Sequence, residues 1–303
     1  MKKIAPKISY MKQISSQLLV NSLNVLGEGP LWHRHRGTFM WVDIEAKKIF
    51  EFNLVSQYLK SWDIGHRVSL IVETQNADEV VLAVQGGTLL YNLSTSQATP
   101  LVDIEKNNEF NRTNDGSIDP LGRLWIGTMA LDCKPGAGSL YCISKEGTPV
   151  QGIKETTISN GMVWTKDRKT LYYIDSATYT VKEYQFEIAT GQITYLKDVI
   201  KVPESLGMPD GMCQDTDGML WIGVWGGNGV YCYNPLNGQL IAKVDVPAPQ
   251  ITSCTFGGLN NDQLFITTAR TGLSDEDLKK YPMSGGVFIA NTGATGEARF
   301  WLI

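Results

Sequence analysis

Four positions along the chain place an oxygen-bearing side chain beside glycine, just ahead of a short apolar run. They are Glu28-Gly29-Pro30-Leu31-Trp32, Asp115-Gly116-Ser117-Ile118, Asn160-Gly161-Met162-Val163-Trp164 and Asp210-Gly211-Met212-Cys213. Carboxylates and amides without histidine or cysteine form a hard ligand set, suited to Ca²⁺, Mg²⁺ or Mn²⁺. Carboxylates crowded together raise one another's pKa unless a cation joins them. For any one position, Asn or Asp before glycine is ordinary turn chemistry. Glu28, between two glycines, is a poor turn former, and four such residues at one phase of a repeat argue for a site.

The elements that must position these side chains recur with them. After each comes a polar turn and a strand-like run: Phe39-Met40-Trp41-Val42, Leu124-Trp125-Ile126-Gly127, Leu171-Tyr172-Tyr173-Ile174 and Leu220-Trp221-Ile222-Gly223. Weaker copies begin near Val68 and Ser253. Six starts, near residues 28, 68, 115, 160, 210 and 253, give a period of about 40–50 residues, the mark of a repeat architecture. Between Gly161 and Ile200 four short runs rich in Tyr, Val, Ile, Phe and Thr are split by polar breaks, as expected of strands. Four strands in each of six repeats predict an all-β fold, a six-bladed β-propeller. The innermost strands of such a ring line its channel. Glu28, Asn160 and Asp210 are therefore expected to meet at the axis as a metal site, with Asn114 and Asp115 close by.

Composition narrows the function classes. The chain has 303 residues, 43% of them hydrophobic, and a net charge of −4, enough for a large core. Without a basic stripe, nucleic acid is not an expected partner. No run approaches the ~18 apolar residues of a membrane span, and polar residues interrupt any leader-like region near the start. The five cysteines (133, 142, 213, 232 and 254) contain no CxxC pair. They read as core thiols of a reducing cytosol, so a cytoplasmic protein is expected. No obligate protein partner is evident.

Residues 1–15 read as a lead-in and 16–303 as a single propeller domain. Gln17 to Leu23 is expected to close the ring by pairing with the other terminus, Ala298–Leu302 being the candidate partner, because closure removes exposed edges. Asp132 to Gly138 forms a turn-rich loop at the rim. Ser274 to Lys280 predicts a short capped helix stopped by Pro282. His33 and His35, in the polar stretch HRHRG, are expected in a solvated turn. No Gly-x-Ser-x-Gly elbow accompanies them, which disfavours a serine hydrolase. The recurring tryptophans, Trp32, Trp41, Trp125, Trp164 and Trp221, read as packing between blades.

Seven segments carry a family resemblance in order along nearly the whole chain: Leu26–Pro30, Arg112–Gly116, Gly127–Met129, Ile158–Gly161, Tyr173–Ser176, Pro209–Cys213 and Cys254–Gly258. Together they resemble the family of senescence marker protein (regucalcin), gluconolactonase and luciferin-regenerating enzyme. The resemblance implies one catalytic divalent cation in the channel, Ca²⁺ first, with Zn²⁺, Mn²⁺ or Mg²⁺ as alternatives. It implies Glu28, Asn160 and Asp210 as ligands and Asp210 also as general base. Arg112 and Asn114 are then substrate contacts, and the substrate a small-molecule sugar lactone hydrolysed to the aldonic acid. Two departures from animal members bear on the sugar preference. Thr113 replaces a phenylalanine, and Asp132 stands where a substrate-contacting glutamate is found.

The implied chemistry is coherent. A cation that polarises a lactone carbonyl favours attack by water, and a carboxylate such as Asp210 can take up the proton. Arg112 offers a fork of donors, or a salt bridge to Asp115. Asp115 reads as structural, and Asp175 as a turn former or an outer support of the site. Two other readings stay open. One is a phosphotriesterase-like metal hydrolase, since P=O is polarised as C=O is. The other is a non-enzymatic calcium-binding propeller.

Overall fold

A computed structural model describes residues 11–144, 147–300 and 302. Six blades of four antiparallel strands form the expected propeller, with the strands in chain order in blades one to five. The inner strands of blades one to six are Gly27–His33, Val68–Glu73, Asn111–Ile118, Ser159–Trp164, Met208–Gln214 and Ile251–Gly257. Burial grades outward within each sheet. The inner strand of blade two is buried at every residue, whereas its outer strand, Ala98–Asp103, is almost wholly exposed. Apolar side chains of adjacent sheets interdigitate to form the core, as in Ile71 with Val42 of the neighbouring blade. The runs read between Gly161 and Ile200 are the four strands of blade four, ending in Gln192–Lys201.

Each inner strand carries a bulge at one depth. In four blades two residues face one on the next strand: Gly29-Pro30, Asn114-Asp115, Asn160-Gly161 and Asp210-Gly211. Blades two and six hold one extra residue there, Ser69 and Thr252. A bulge re-aims side chains and increases the local twist. The polar–glycine signature thus marks a bulge rather than a turn. The glycines have separate physical reasons. Gly29 has φ of +53°, a left-handed conformation that costs glycine little. At Gly161 a Cβ would stand 2.8 Å from the Asp210 carbonyl oxygen and 2.7 Å from Met212 Cγ, so only glycine allows the neighbouring inner strand so close.

Two closely matching stretches, IDPLGRLWIG from Ile118 and QDTDGMLWIG from Gln214, act as blade locks. Asp119 accepts hydrogen bonds from the backbone of Leu121 and Arg123, from Arg123 Nε, and from Trp125 Nε1 at 2.9 Å. Asp215 does the same for Asp217, Met219 and Trp221 Nε1 at 2.8 Å. The tryptophan rings then reach the next blade, Trp125 against Trp164 and Trp221 against Phe256. Trp32 stacks on Phe265 across the ring closure, while Trp41 stacks on Phe50 of its own blade.

Closure differs from the sequence expectation in one partner. Gln17–Val20 supplies the outer strand of blade six by pairing with Val287–Asn291, not with Ala298–Leu302. Val287 and Phe288 are fully buried, and this core-facing run makes the better strand. The chain beyond it turns under the channel, where Phe300 and Leu302 pack on the cores of blades two to four. Trp301 lies outside the described residues. Lys12–Ser15, within the expected lead-in, adds a fifth, parallel strand to blade five, and residues 1–10 lie outside the described residues. The helix forms at Asp275–Lys280, with Ser274 and Asp277 making a reciprocal capping box. His33 departs from the expected solvated turn. It ends the inner strand of blade one fully buried, with Nδ1 3.7 Å from a Glu73 carboxylate oxygen, and burial lowers its pKa. His35 is exposed as expected. Among the described residues no helix is long and apolar enough to cross a membrane.

Candidate active site

Asn114, Asn160 and Asp210 lie in the bulges, Glu28 one residue before that of blade one and Arg112 two before that of blade three. Glu28, Arg112, Asn114, Asn160 and Asp210 are all buried. Three of them form a connected chain of hydrogen bonds. Arg112 Nη1 donates to the Thr113 carbonyl and to Asn114 Oδ1 at 2.6 Å. Asn114 Nδ2 donates to the Ser159 carbonyl and to Asn160 Oδ1 at 3.0 Å, and Asn160 Nδ2 donates to Ser176 Oγ at 2.8 Å. The chain fixes which end of each amide is oxygen. Arg112 makes no ion pair with Asp115 among the described residues. Asp115 instead accepts from the Gly116 backbone. Ser176 is a participant that sequence reasoning passed over, although it sits in the quoted segment after Asp175. Asp175 itself accepts the backbone N–H groups of Thr157 and Ile158, which makes it a turn former.

The carboxylates are in a different position. Among the described residues Glu28 accepts only a backbone N–H, from Gly29, and Asp210 Oδ1 is buried without a hydrogen-bond partner. Burial is the largest force raising the Glu28 pKa, with repulsion from Asp115 next. Burial and then Glu28 raise Asp210 well above the usual carboxylate range, and Arg112 only partly opposes this. Burial also pushes Asp115 up to about 6. An unsatisfied buried carboxylate oxygen is costly. Here it lies in an all-oxygen set of two acids and an amide, which fits a hard divalent cation. Among the described residues no group of three or more His, Cys, Asp or Glu gathers as a metal cluster.

With that geometry in hand, similarity to known proteins is decisive. Residues 26–270 match the family described as the SMP-30/Gluconolactonase/LRE-like region. The chain belongs to this family. Regucalcin of Gallus gallus is 33% identical over 279 residues, covering 89% of this chain and 92% of that protein. Among solved structures, a calcium-binding protein, regucalcin, from Agrobacterium tumefaciens superposes with a TM-score of 0.92 at 26% identity, over 98% of this chain and all of that one. A luciferin-regenerating enzyme gives 0.85 at 30% identity, over 92% and 95% of the two chains.

Within the family frame, Asp132 stands apart from the buried set. Its loop follows the strand Leu124–Ala130, whose Met129 pairs with Arg112, so it borders the channel end where the inner strands begin. Asp132 is exposed and accepts the Lys134 backbone N–H, while Cys133 beside it is exposed with φ of +58°. Glu105 braces the loop's base by accepting from Asn111 Nδ2 and Thr128 Oγ1, and Asn111 also donates to the Ala137 carbonyl. Nothing in the sequence flagged Glu105, which lies in an irregular polar stretch.

Proposed function

We propose that this protein is a divalent-cation-dependent hydrolase that opens a sugar lactone to the aldonic acid. The observation that carries the reading is the buried, unpartnered Asp210 Oδ1 beside Glu28, in a family described by gluconolactonase. Glu28, Asn160 and Asp210 hold the ion through oxygen, with Ca²⁺ favoured by the hard donor set. When bound, such a cation polarises the lactone carbonyl and stabilises the charge that develops on it. Asp210 takes the proton of the attacking water through its carboxylate. Arg112, held by Thr113 and Asn114, keeps further N–H donors for a ring hydroxyl or the new carboxylate. Asn114 ties that guanidinium to Asn160, so substrate contact and ligand orientation are coupled. Asp132 tunes which lactone enters from the rim.

A panel of sugar lactones, with an organophosphate beside them, tests this after chelation and re-addition of Ca²⁺, Zn²⁺, Mn²⁺ or Mg²⁺. Lactone turnover should vanish on chelation and return with a cation, and exceed turnover of the phosphotriester. Tight cation binding without turnover of any lactone would overturn the reading. It would favour a calcium-binding propeller, the description carried by the Agrobacterium tumefaciens relative.

A further inference from the structure

The inner strands of blades five and six, Met208–Gln214 and Ile251–Gly257, come close together. At Gly211 a Cβ would stand 3.0 Å from Ser253 Cα. Just beyond this approach Cys213 faces Cys254, with their sulfurs 3.7 Å apart. The Cys254 thiol donates to the Trp221 carbonyl at 3.2 Å, so the Cys213 thiol is left to donate to the Cys254 sulfur. The other cysteines have no such neighbour. Cys133 is exposed, and Cys142 is buried in a different core cluster. Cys232 shares the cluster of the pair, but among the described residues it makes no sulfur contact.

A disulfide holds its sulfurs at about 2 Å and its Cβ atoms at about 4 Å. Two thiols already in contact on closely spaced strands reach that geometry with small side-chain rotations. The pair is also open to small molecules, since both residues line a cavity of about 450 Å³ in the channel, together with Gly29, Asp115 and Met212. Cys213 is 7% exposed and Cys254 1%.

We infer that Cys213 and Cys254 are an oxidative modification site, a dithiol that forms a reversible disulfide stapling blade five to blade six, with a hydroperoxide as the oxidant. Cys213, the more exposed, reacts first. Its sulfur attacks one peroxide oxygen, the O–O bond breaks, and the second oxygen leaves as alcohol or water. The Cys254 sulfur then attacks the sulfenic sulfur of Cys213. The S–S bond forms, and the hydroxyl leaves as water with the Cys254 proton. Two thiols are oxidised and one peroxide is reduced. Burial and then Cys213 raise the Cys254 thiol well above its ordinary pKa, with Arg299 opposing them only in part, which suits Cys254 to the second step. Reversible links of this kind are compatible with a reducing compartment.

The test uses the full chain in Ca²⁺ with Cys133→Ser, which removes the exposed thiol. Folded protein is treated briefly with hydrogen peroxide, its remaining thiols are alkylated in denaturant, and its peptides are mapped by mass spectrometry. One linked pair is expected, Cys213 with Cys254, lighter by two hydrogens and released by a phosphine reductant. The bridge spans 41 positions of the chain, so the linked protein should melt at least about 3 °C above the reduced one. Cys213→Ala and Cys254→Ala should each abolish both the link and the rise. The inference is overturned if all four buried thiols stay open to alkylation after peroxide. A link through Cys232, or equal melting temperatures of linked and reduced protein, would overturn it as well.

Discussion

Asp210 and Asn160 occupy the same bulge position in adjacent blades, yet their chemistry predicts different consequences of substitution. Asp210→Asn keeps an oxygen for the cation and removes the basic carboxylate. At saturating cation it should still bind a product analogue and turn over lactone at least ~100-fold more slowly, within the usual range for loss of a general base. Asn160→Ala removes a proposed neutral ligand and the hydrogen bonds to Asn114 and Ser176. Excess cation should restore more of its activity. Measuring kcat against cation concentration for both decides the matter, and equal restoration would leave Asp210 as a ligand only. The raised carboxyls give a second prediction. Glu28 is shifted from 4.5 to about 8 and Asp210 upward with it. Acids with raised folded-state pKa bind protons more tightly when folded, so their contribution to stability is full below about pH 4.5 and is lost as pH rises toward 8. In chelator-treated protein, raising the pH from 5 to 8 should therefore remove this contribution. Added Ca²⁺ should raise the melting temperature more at pH 8 than at pH 5, because binding then displaces fewer protons. Calorimetric melts at the two pH values check this.

The blade is the next unit, and its lock is Asp119. This fully buried acid holds a turn, the Arg123 guanidinium and the Trp125 indole together. Asp119→Asn leaves a mostly buried guanidinium without its counter-charge, so a loss of about 2–4 kcal/mol is expected. Urea unfolding monitored by tryptophan fluorescence measures it. KM for lactone in the folded variant should stay unchanged, since the lock follows the end of the inner strand Asn111–Ile118, past the bulge from Arg112. The rim loop predicts the reverse pattern. Asp132 is exposed and bonded only within its own turn, so Asp132→Glu should leave stability and cation affinity unchanged and shift relative rates across a lactone panel. Identical selectivity in the two proteins would reduce the loop to a connector.

At the scale of the whole ring, stability depends on a closure between the chain's two ends. Gln17–Val20 pairs with Val287–Asn291, and its neighbour Lys12–Ser15 runs parallel to Gln239–Asp245 of blade five. Deleting residues 1–21 removes both strands and exposes two sheet edges. The truncated protein should lose cooperative thermal unfolding or aggregate, as followed by calorimetry and light scattering.

The sequence by itself determined the repeat, its phase and the chemistry at that phase. Strand alternation and the polar–glycine signature are local, and local patterns survive in a string of letters. Glu28, Asn160 and Asp210 were read as one set because they share a phase of the repeat, and all three are buried. The tertiary structure decided what depends on distant partners. That glycine at position 161 answers to the Asp210 backbone, and that His33 is buried against Glu73, are contacts across blades. The closing partner of Gln17–Val20 also escaped the sequence, because two apolar runs near the C-terminus offered similar patterns and only packing chose between them. Arg299 shows the limit most clearly. Nothing about an arginine near the end of a chain says that it will donate to the Pro30 carbonyl and to Thr255 Oγ1, because those partners sit in the first and last blades and meet only when the ring closes.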